Sequence, residues 1–316
     1  MELKHLQALV GIDDTGSFSA AAEQIGTVQS NISAHVARLE RELEVALVDR
    51  SSGRLTEEGE VVVARGRRML LELEALISDV VAMRHEVRGT VRVGMIGTTG
   101  RWLVPLLVAH LRDRHAEVHM TVADGTSTTL EQRLISGQLD VAVVTLPIPG
   151  DELSASPLFE EDLMLVVPAE HPLATASKGV NAERAPLPLA ALGELELLLP
   201  LPGTALRDEI DAAVHPAGVE LRPSLELDGL RMIASLTFDG FGPAILPAAA
   251  VPGHLRGRFS LLPIEGTPRR RVGVAVRSRG LPSAPTRAFI EVLQDVVENR
   301  ALIPDGLHPT VAGRGR

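Results

Sequence analysis

The 316 residues carry 31 Lys and Arg against 41 Asp and Glu, a net charge of -10, with 45% hydrophobic residues, 23% charged residues and no cysteine. This is the composition of an ordinary globular protein, long enough for two or three domains of roughly 150 residues each. It excludes disulfides, thiolate metal sites and thiol redox switches within these residues, and it argues against indiscriminate coating of nucleic acid while leaving room for a local DNA-reading surface.

The N-terminal stretch MELKHLQALVGIDDTGSF has early acidic residues and lacks the basic, apolar and small-residue sections of an export signal. No apolar run reaches the roughly 18 residues of a membrane span. A cytoplasmic protein without membrane contact is expected. Leu3, Leu6, Leu9 and Val10 share one face of a first helix, ended by Thr15-Gly16. Ser17 reads as the N-cap of a short second helix to about Ile25, in which Ala20, Ala21 and Ala22 permit close helix packing. After the break at Gly26-Thr27, with Thr27 as the expected cap, a third helix runs to about Leu43. Ile32, Val36, Leu39 and Leu43 form its buried face. Its opposite arc holds Ser30, Ser33, Ala34, Ala37, Arg38 and Arg41, and the N-terminal half of that arc is small and uncharged. A helix end of this kind can approach another surface closely and offers its free N–H groups to phosphate, which is the form of a helix-turn-helix reading head.

The stretch SFSAAAEQIGTVQSNISAHVARLERELEVALVDRSSGRLTEEGE resembles the winged helix-turn-helix of LysR-type transcriptional regulators, including RLE on the third helix and the LT and EG after the wing. The resemblance implies that Gln29, Ser30 and Ser33 face the DNA major groove and that His35 and Arg38 contact base edges or backbone. It places Arg50, Ser52 and Arg54 in a wing beside the phosphates. Those residue types suit the task, since Gln pairs with adenine, Ser contacts several bases and Arg binds phosphate. Residues 1–56 hold five Lys or Arg against eight Asp or Glu, a net of -3. Dimerisation is therefore expected to supply affinity that one head lacks.

From Glu57 to Glu86 one long helix is predicted. Met69, Leu73, Leu76, Val80, Met83 and Val87 alternate spacings of four and three, a coiled-coil seam, and Gly89 closes it. The resemblance makes this the linker helix that pairs two subunits. The expected boundaries are 1–59 for the head, 60–88 for the linker, 89–300 for a third part and 301–316 for a flexible tail.

The third part alternates strands with amphipathic helices, beginning TVRVGMIG, TTGRW and LVPLLVAHLRDRH, which predicts a parallel α/β sheet. Ligands in such sheets lie beyond the carboxyl ends of the strands. Thr98, Thr99, Gly100, Ser127, Thr128 and Thr145 fall there. Each is also a plausible N-cap, and only their repetition at successive strand ends favours a site. GQLDVAVV, LMLVVPAEHPLA and GFGPAILP resemble the LysR-type effector domain, which has the two-lobed fold of type 2 periplasmic binding proteins. The implied first lobe covers about 90–159 and 263–300, and the second about 160–262. Gly203, Thr204 and Phe238 would face the cleft between them. Hydroxyls and helix N-termini suit a small anion.

Trp102 reads as a packing residue, the run Arg269 to Arg271 as a solvated strand edge, and FEEDL as a surface turn. No metal-ligand spacing or cofactor fingerprint is present, so no cofactor is expected. The combined reading is an effector-controlled, sequence-specific DNA-binding regulator and not an enzyme. Its expected partners are double-stranded DNA, a small-molecule effector and its own copies as a homodimer or homotetramer, with RNA polymerase as a further candidate. The alternatives are a cytoplasmic solute-binding protein and a small-carboxylate enzyme built on the same cleft.

Overall fold

The computed structural model describes residues 1–83, 86–175, 186–251 and 257–310. Three helices, α1 (Leu3–Thr15), α2 (Phe18–Ile25) and α3 (Gln29–Leu43), pack with the start of α4 (Glu57–Ala82) around one apolar core. That core holds Leu6, Leu9, Ile12, Ala21, Ile32, Val36 and Leu39. The Ser17 hydroxyl accepts from Ala20 N–H at 3.1 Å as the α2 cap, and Gly16 and Gly26 end the preceding helices in the left-handed region. Leu3 and Leu43, expected in the buried faces, are instead about 40% exposed, at 41% and 40%. Each lies at a helix end, one turn beyond the core it was expected to join. Thr27 does not cap α3. Val28 is the N-cap residue and supplies no side-chain bond, while the Thr27 hydroxyl accepts from Asn31 Nδ2 at 2.9 Å.

The wing is a short antiparallel bridge between Val48 and Leu55. Behind it Thr56 caps α4, accepting from Gly59 N–H at 3.0 Å and donating to Ala46 O at 2.7 Å. A Cβ at Gly59 would stand 2.1 Å from Leu47 O, so only glycine lets α4 start this close to the wing. The helix ends at Ala82, with Met83 as its C-cap, so Val87 lies beyond the helix and Gly89 opens a strand instead of closing the seam. The physical reason is docking of the last turn: Asp79 Oδ1 accepts from Ala284 N–H at 2.8 Å and from Arg287 Nη2 at 3.2 Å.

Among the described residues the further α-helices and β-strands are β1 (Gly89–Ile96), α5 (Gly97–Arg114), β2 (Val118–Gly125), α6 (Ser127–Ile135), β3 (Val141–Leu146), β4 (Leu153–Glu161), β5 (Leu163–Pro168), α7 (Pro172–Thr175), β6 (Glu196–Pro200), α8 (Ala205–Val214), β7 (Arg222–Leu227), α9 (Leu230–Phe238), β8 (Ala244–Pro247), β9 (Phe259–Pro263), β10 (Arg270–Arg277), α10 (Ala284–Glu298) and β11 (Leu307–Pro309). They form two sheets, a six-stranded one in the order β11-β4-β10-β3-β1-β2 and a five-stranded one in the order β7-β6-β8-β5-β9. Each is mixed rather than wholly parallel. β1 pairs in parallel with β2 and β3, whereas β10 runs antiparallel to β3 and β4. The antiparallel strands are the ones that carry the chain between lobes, outward from β4 to β5 and back from β9 to β10.

Two expectations are corrected at these crossings. FEEDL is no surface turn, because Phe159 and Glu161 are 1% and 0% exposed. Nor is the stretch after residue 300 wholly a tail: β11 pairs with β4, Leu307 is buried, and the Trp102 indole donates to Leu302 O at 2.9 Å. Trp102 also meets Phe159 edge-on at 5.6 Å, as a packing residue should. Residues 311–316 of the expected tail lie outside the described residues.

Gly59→Ala should destabilise the head by about 1–3 kcal/mol, the usual cost of forcing a methyl into filled space. Urea unfolding followed by helical circular dichroism measures it, and an unchanged transition would contradict the close approach of Leu47 O.

Candidate functional site

The exposed side of the head is built on α3. Gln29 and Ser30 are exposed at its start, Ser33 and His35 are half-buried, and Arg38 is exposed further along. Gln29 Oε1 accepts from Ser19 Oγ at 3.1 Å, tying the beginning of α3 to α2. His35 is backed at 5.5 Å by the ring of His5, whose side chain is buried. Burial pushes the His5 pKa down. In the wing, Arg54 is exposed and Arg50 pairs with Glu40 at 3.1 Å. Ser52 is less free than its place in the wing suggests, since its hydroxyl donates to Asp49 Oδ2 at 2.7 Å and accepts from Arg54 N–H. Hydrogen bonds from Ser52 and Ser51 hold the Asp49 carboxyl down at about 2.

Most acids of the head already have partners away from the start of α3. Asp13 and Asp14 both sit 2.7 Å from Arg67 Nη2 on α4, and Glu40 accepts from Leu47 and Val48 N–H as well as from Arg50. The net negative charge counted along the sequence is therefore not spread evenly over the surface, and α3 from Gln29 to Ala37 has no acidic residue.

The second candidate region lies where β1 and β3, adjacent and parallel, end. α5 begins at once at Gly97, so Thr98, Thr99 and Gly100 belong to its first turn and do not form a loop before it. Thr98 is 7% exposed and Thr99 0%, and among the described residues Thr99 Oγ1 has no hydrogen-bond partner. Both threonines are enclosed. Ser127 Oγ accepts from Thr145 N–H at 3.0 Å, and Thr145 Oγ1 accepts from Arg270 Nη2 at 3.2 Å, so these three residues form one chain across the strand ends. Thr128 is exposed beside them on α6. On the second lobe Gly203 is exposed at the turn before α8, and Thr204 donates to Leu201 O at 2.8 Å. Phe238 is not open to the cleft: it is 5% exposed and packs against Phe259 at 5.0 Å, with Arg101 of the first lobe 6.0 Å above its ring.

The group that organises this region is Arg270, part of a charge run expected on a solvated edge. Its Nη1 donates to Glu161 Oε1 at 2.8 Å and its Nε to Glu209 Oε2 at 2.6 Å, and only 10% of the side chain is exposed. Alternation along RRRVGV puts Arg270 on the same face as Val272 and Val274, both buried, and that period is the signal that could have found it. Arg271 is exposed, and Arg269 pairs with Asp162 at 2.9 Å. Burial pushes the Glu161 carboxyl above its ordinary range, with Arg270 pulling against it. No sequence pattern announced Glu161 or Glu209, because their meeting with Arg270 depends on how the two lobes are crossed.

Comparison with known proteins agrees with this arrangement. Residues 3–60 match the family model described as the bacterial regulatory helix-turn-helix protein of the lysR family, and residues 84–298 match the LysR substrate binding domain. A probable hydrogen peroxide-inducible genes activator of Mycobacterium avium is 30% identical over 86% of this chain and 87% of its own length. The dual regulator OxyR of Escherichia coli K12 is 27% identical over 95% of this chain and 96% of its own. Among solved structures, a full-length cysteine-to-aspartate variant of OxyR from Pseudomonas aeruginosa superimposes with a TM-score of 0.77 at 26% identity, covering 98% of both chains. A helix-turn-helix head, a linker helix and a two-lobed effector-binding domain in one chain thus have a shared origin: the protein belongs to the LysR family of DNA-binding transcriptional regulators.

Proposed function

We propose that this regulator reads its DNA site with the N-terminal half of α3, that two copies pair along α4, and that a non-covalently bound small anion in the interlobe cleft shifts their relative placement. One observation carries the DNA reading: Gln29, Ser30 and Ser33 present short polar groups at a helix start free of acids, with Arg38, Arg50 and Arg54 on the head around it. His35 completes the proposed contacts through its exposed edge, and Ser52 holds the wing turn that carries Arg54.

Met69, Leu73, Leu76, Val80 and Met83 are 48%, 37%, 60%, 49% and 87% exposed in the single chain. An apolar stripe of that kind on one helix supports burial against a second copy. The cytoplasmic placement follows from the DNA to be read. Among the described residues no helix is long and apolar enough to cross a membrane. A regulatory role, and not catalysis, is the reading the family supports.

The Mycobacterium avium relative is named for induction by hydrogen peroxide. These 316 residues contain no cysteine, so thiol oxidation is not the chemistry by which this chain responds. Ser127, Thr145 and Arg270 at the strand ends, with the N-terminus of α6 beside them, support an anionic ligand.

Binding of the purified protein to DNA from upstream of its own gene, compared with a shuffled fragment over a salt series, tests the DNA reading. A preference for the native fragment that survives moderate salt is expected, and Ser33→Glu should weaken it at least about tenfold by placing a carboxylate against phosphates and base acceptors. Equal, weak binding to both fragments would refute it. Leu76→Lys combined with Val80→Lys should convert the oligomer to a monomer in sedimentation velocity and cost at least about tenfold in DNA affinity through lost bivalency. An unchanged sedimentation coefficient would place the subunit contact elsewhere.

A further inference from the structure

Arg270 is shared by two carboxylates of unequal standing. Glu161 is fully enclosed, and its second oxygen accepts from Ala249 N–H at 3.2 Å, so it is fixed on both sides. Removing Arg270 from it would strand a buried charge. Glu209 lies on α8 with 29% of its side chain exposed, and water can take over its hydrogen bonds when it leaves. The two carboxylates face a single guanidinium in a poorly hydrated place, where like charges repel. The Arg270–Glu209 pair also joins α8 of the second lobe to β10 of the first.

We propose that Glu209 is a built-in competitor for the cleft ligand: an anionic small molecule reaches Arg270 by displacing the Glu209 carboxylate, and thereby severs the α8–β10 link between the lobes. The inference rests on the cleft reading given above. A carboxylate or phosphate can replace Glu209 on the Nε side of Arg270, while Glu161 and Thr145 keep the guanidinium in place. A neutral ligand competes poorly for that charge-assisted bond, and a cation would settle on the surplus negative charge without breaking it. The ion pair between Asp124 at the end of β2 and Arg231 on α9, at 2.7 Å, survives the exchange as a second and more exposed interlobe link. Glu209 thus selects the ligand's charge and couples its arrival to lobe movement.

Trp102, the sole tryptophan, lines with Ala248, Phe259, Leu261 and Leu302 a separate crevice where residues of both lobes meet, and serves as the reporter of lobe movement. The full chain and its Glu209→Gln variant are titrated with sodium acetate and with inorganic phosphate at constant ionic strength, with sodium chloride as the control, and Trp102 emission is followed. Removing the tethered carboxylate, a competitor always present at the site, should lower the midpoint for at least one anion about tenfold. Glu209→Ala, which offers Arg270 no hydrogen-bonding group, should shift it at least as far. Coincident titrations, or no saturable response in any of the three proteins, would overturn the proposal. The DNA-fragment comparison is run on the same preparations. Coincident titrations with intact fragment preference reject the role of Glu209 and leave the DNA reading standing; shifted titrations without fragment preference do the reverse.

Discussion

A guanidinium held between two lobes has to be satisfied from both of them, and Arg270 is satisfied by Glu161 and Thr145 on one side and Glu209 on the other. Glu161 ends the strand by which the chain leaves the first lobe, and Arg270 begins the strand by which it returns. The ion pair therefore sits on the crossings themselves. Its buried half cannot be lost without leaving a charge in a dry interior, a defect that typically costs about 3–5 kcal/mol. The half that faces the second lobe is open to exchange, and this asymmetry gives the cleft both a fixed anchor and a movable contact.

The first lobe is joined to the rest of the chain by polar contacts along α4. Arg68 donates to Ile135 O from Nε and Nη2, at 3.3 and 3.1 Å, and Arg92 bridges Glu74 on α4 to Asp140 at the start of β3. Asp79 docks the end of α4 onto α10, while Arg67 holds Asp13 and Asp14 of the head. One helix thus touches the head through one end and the effector-binding domain through its remaining turns. The apolar stripe on the same helix is left uncovered in a single chain. Under the pairing proposed above, a movement of the lobes would reach the heads through this helix and its partner copy.

The chain shares its fold with OxyR of Pseudomonas aeruginosa over nearly the whole length of both chains, yet its 316 residues hold no cysteine. Fold and signal are separable for a physical reason. The two-lobed scaffold requires only apolar strands and a satisfied crossing, whereas a signal is read by a few side chains of a site carried on it.

The sequence by itself determined the head and the class of the remainder. Helix periodicity, the Ser17 cap and the left-handed breaks at Gly16 and Gly26 are local, so the residues that specify them are neighbours in the chain. The start of α4 at Glu57 was equally legible from its periodicity, and the structure adds its cap, Thr56 bonding to Gly59 three residues away. Strand alternation and the polar residues at strand ends announced an α/β domain, and Ser127 and Thr145 did meet. The tertiary structure alone decided that α4 stops at Ala82, that Phe238 is packed and not open, that FEEDL is enclosed at a crossing, and that residues 307–309 complete a sheet. It also decided that Arg270 is a buried anchor. Each of these is fixed by partners tens to hundreds of residues away: Glu161 and Glu209 lie 109 and 61 positions before Arg270. Periodicity reports which face of an element is buried, but the charge that meets an arginine on that face is set by the crossing of the two lobes.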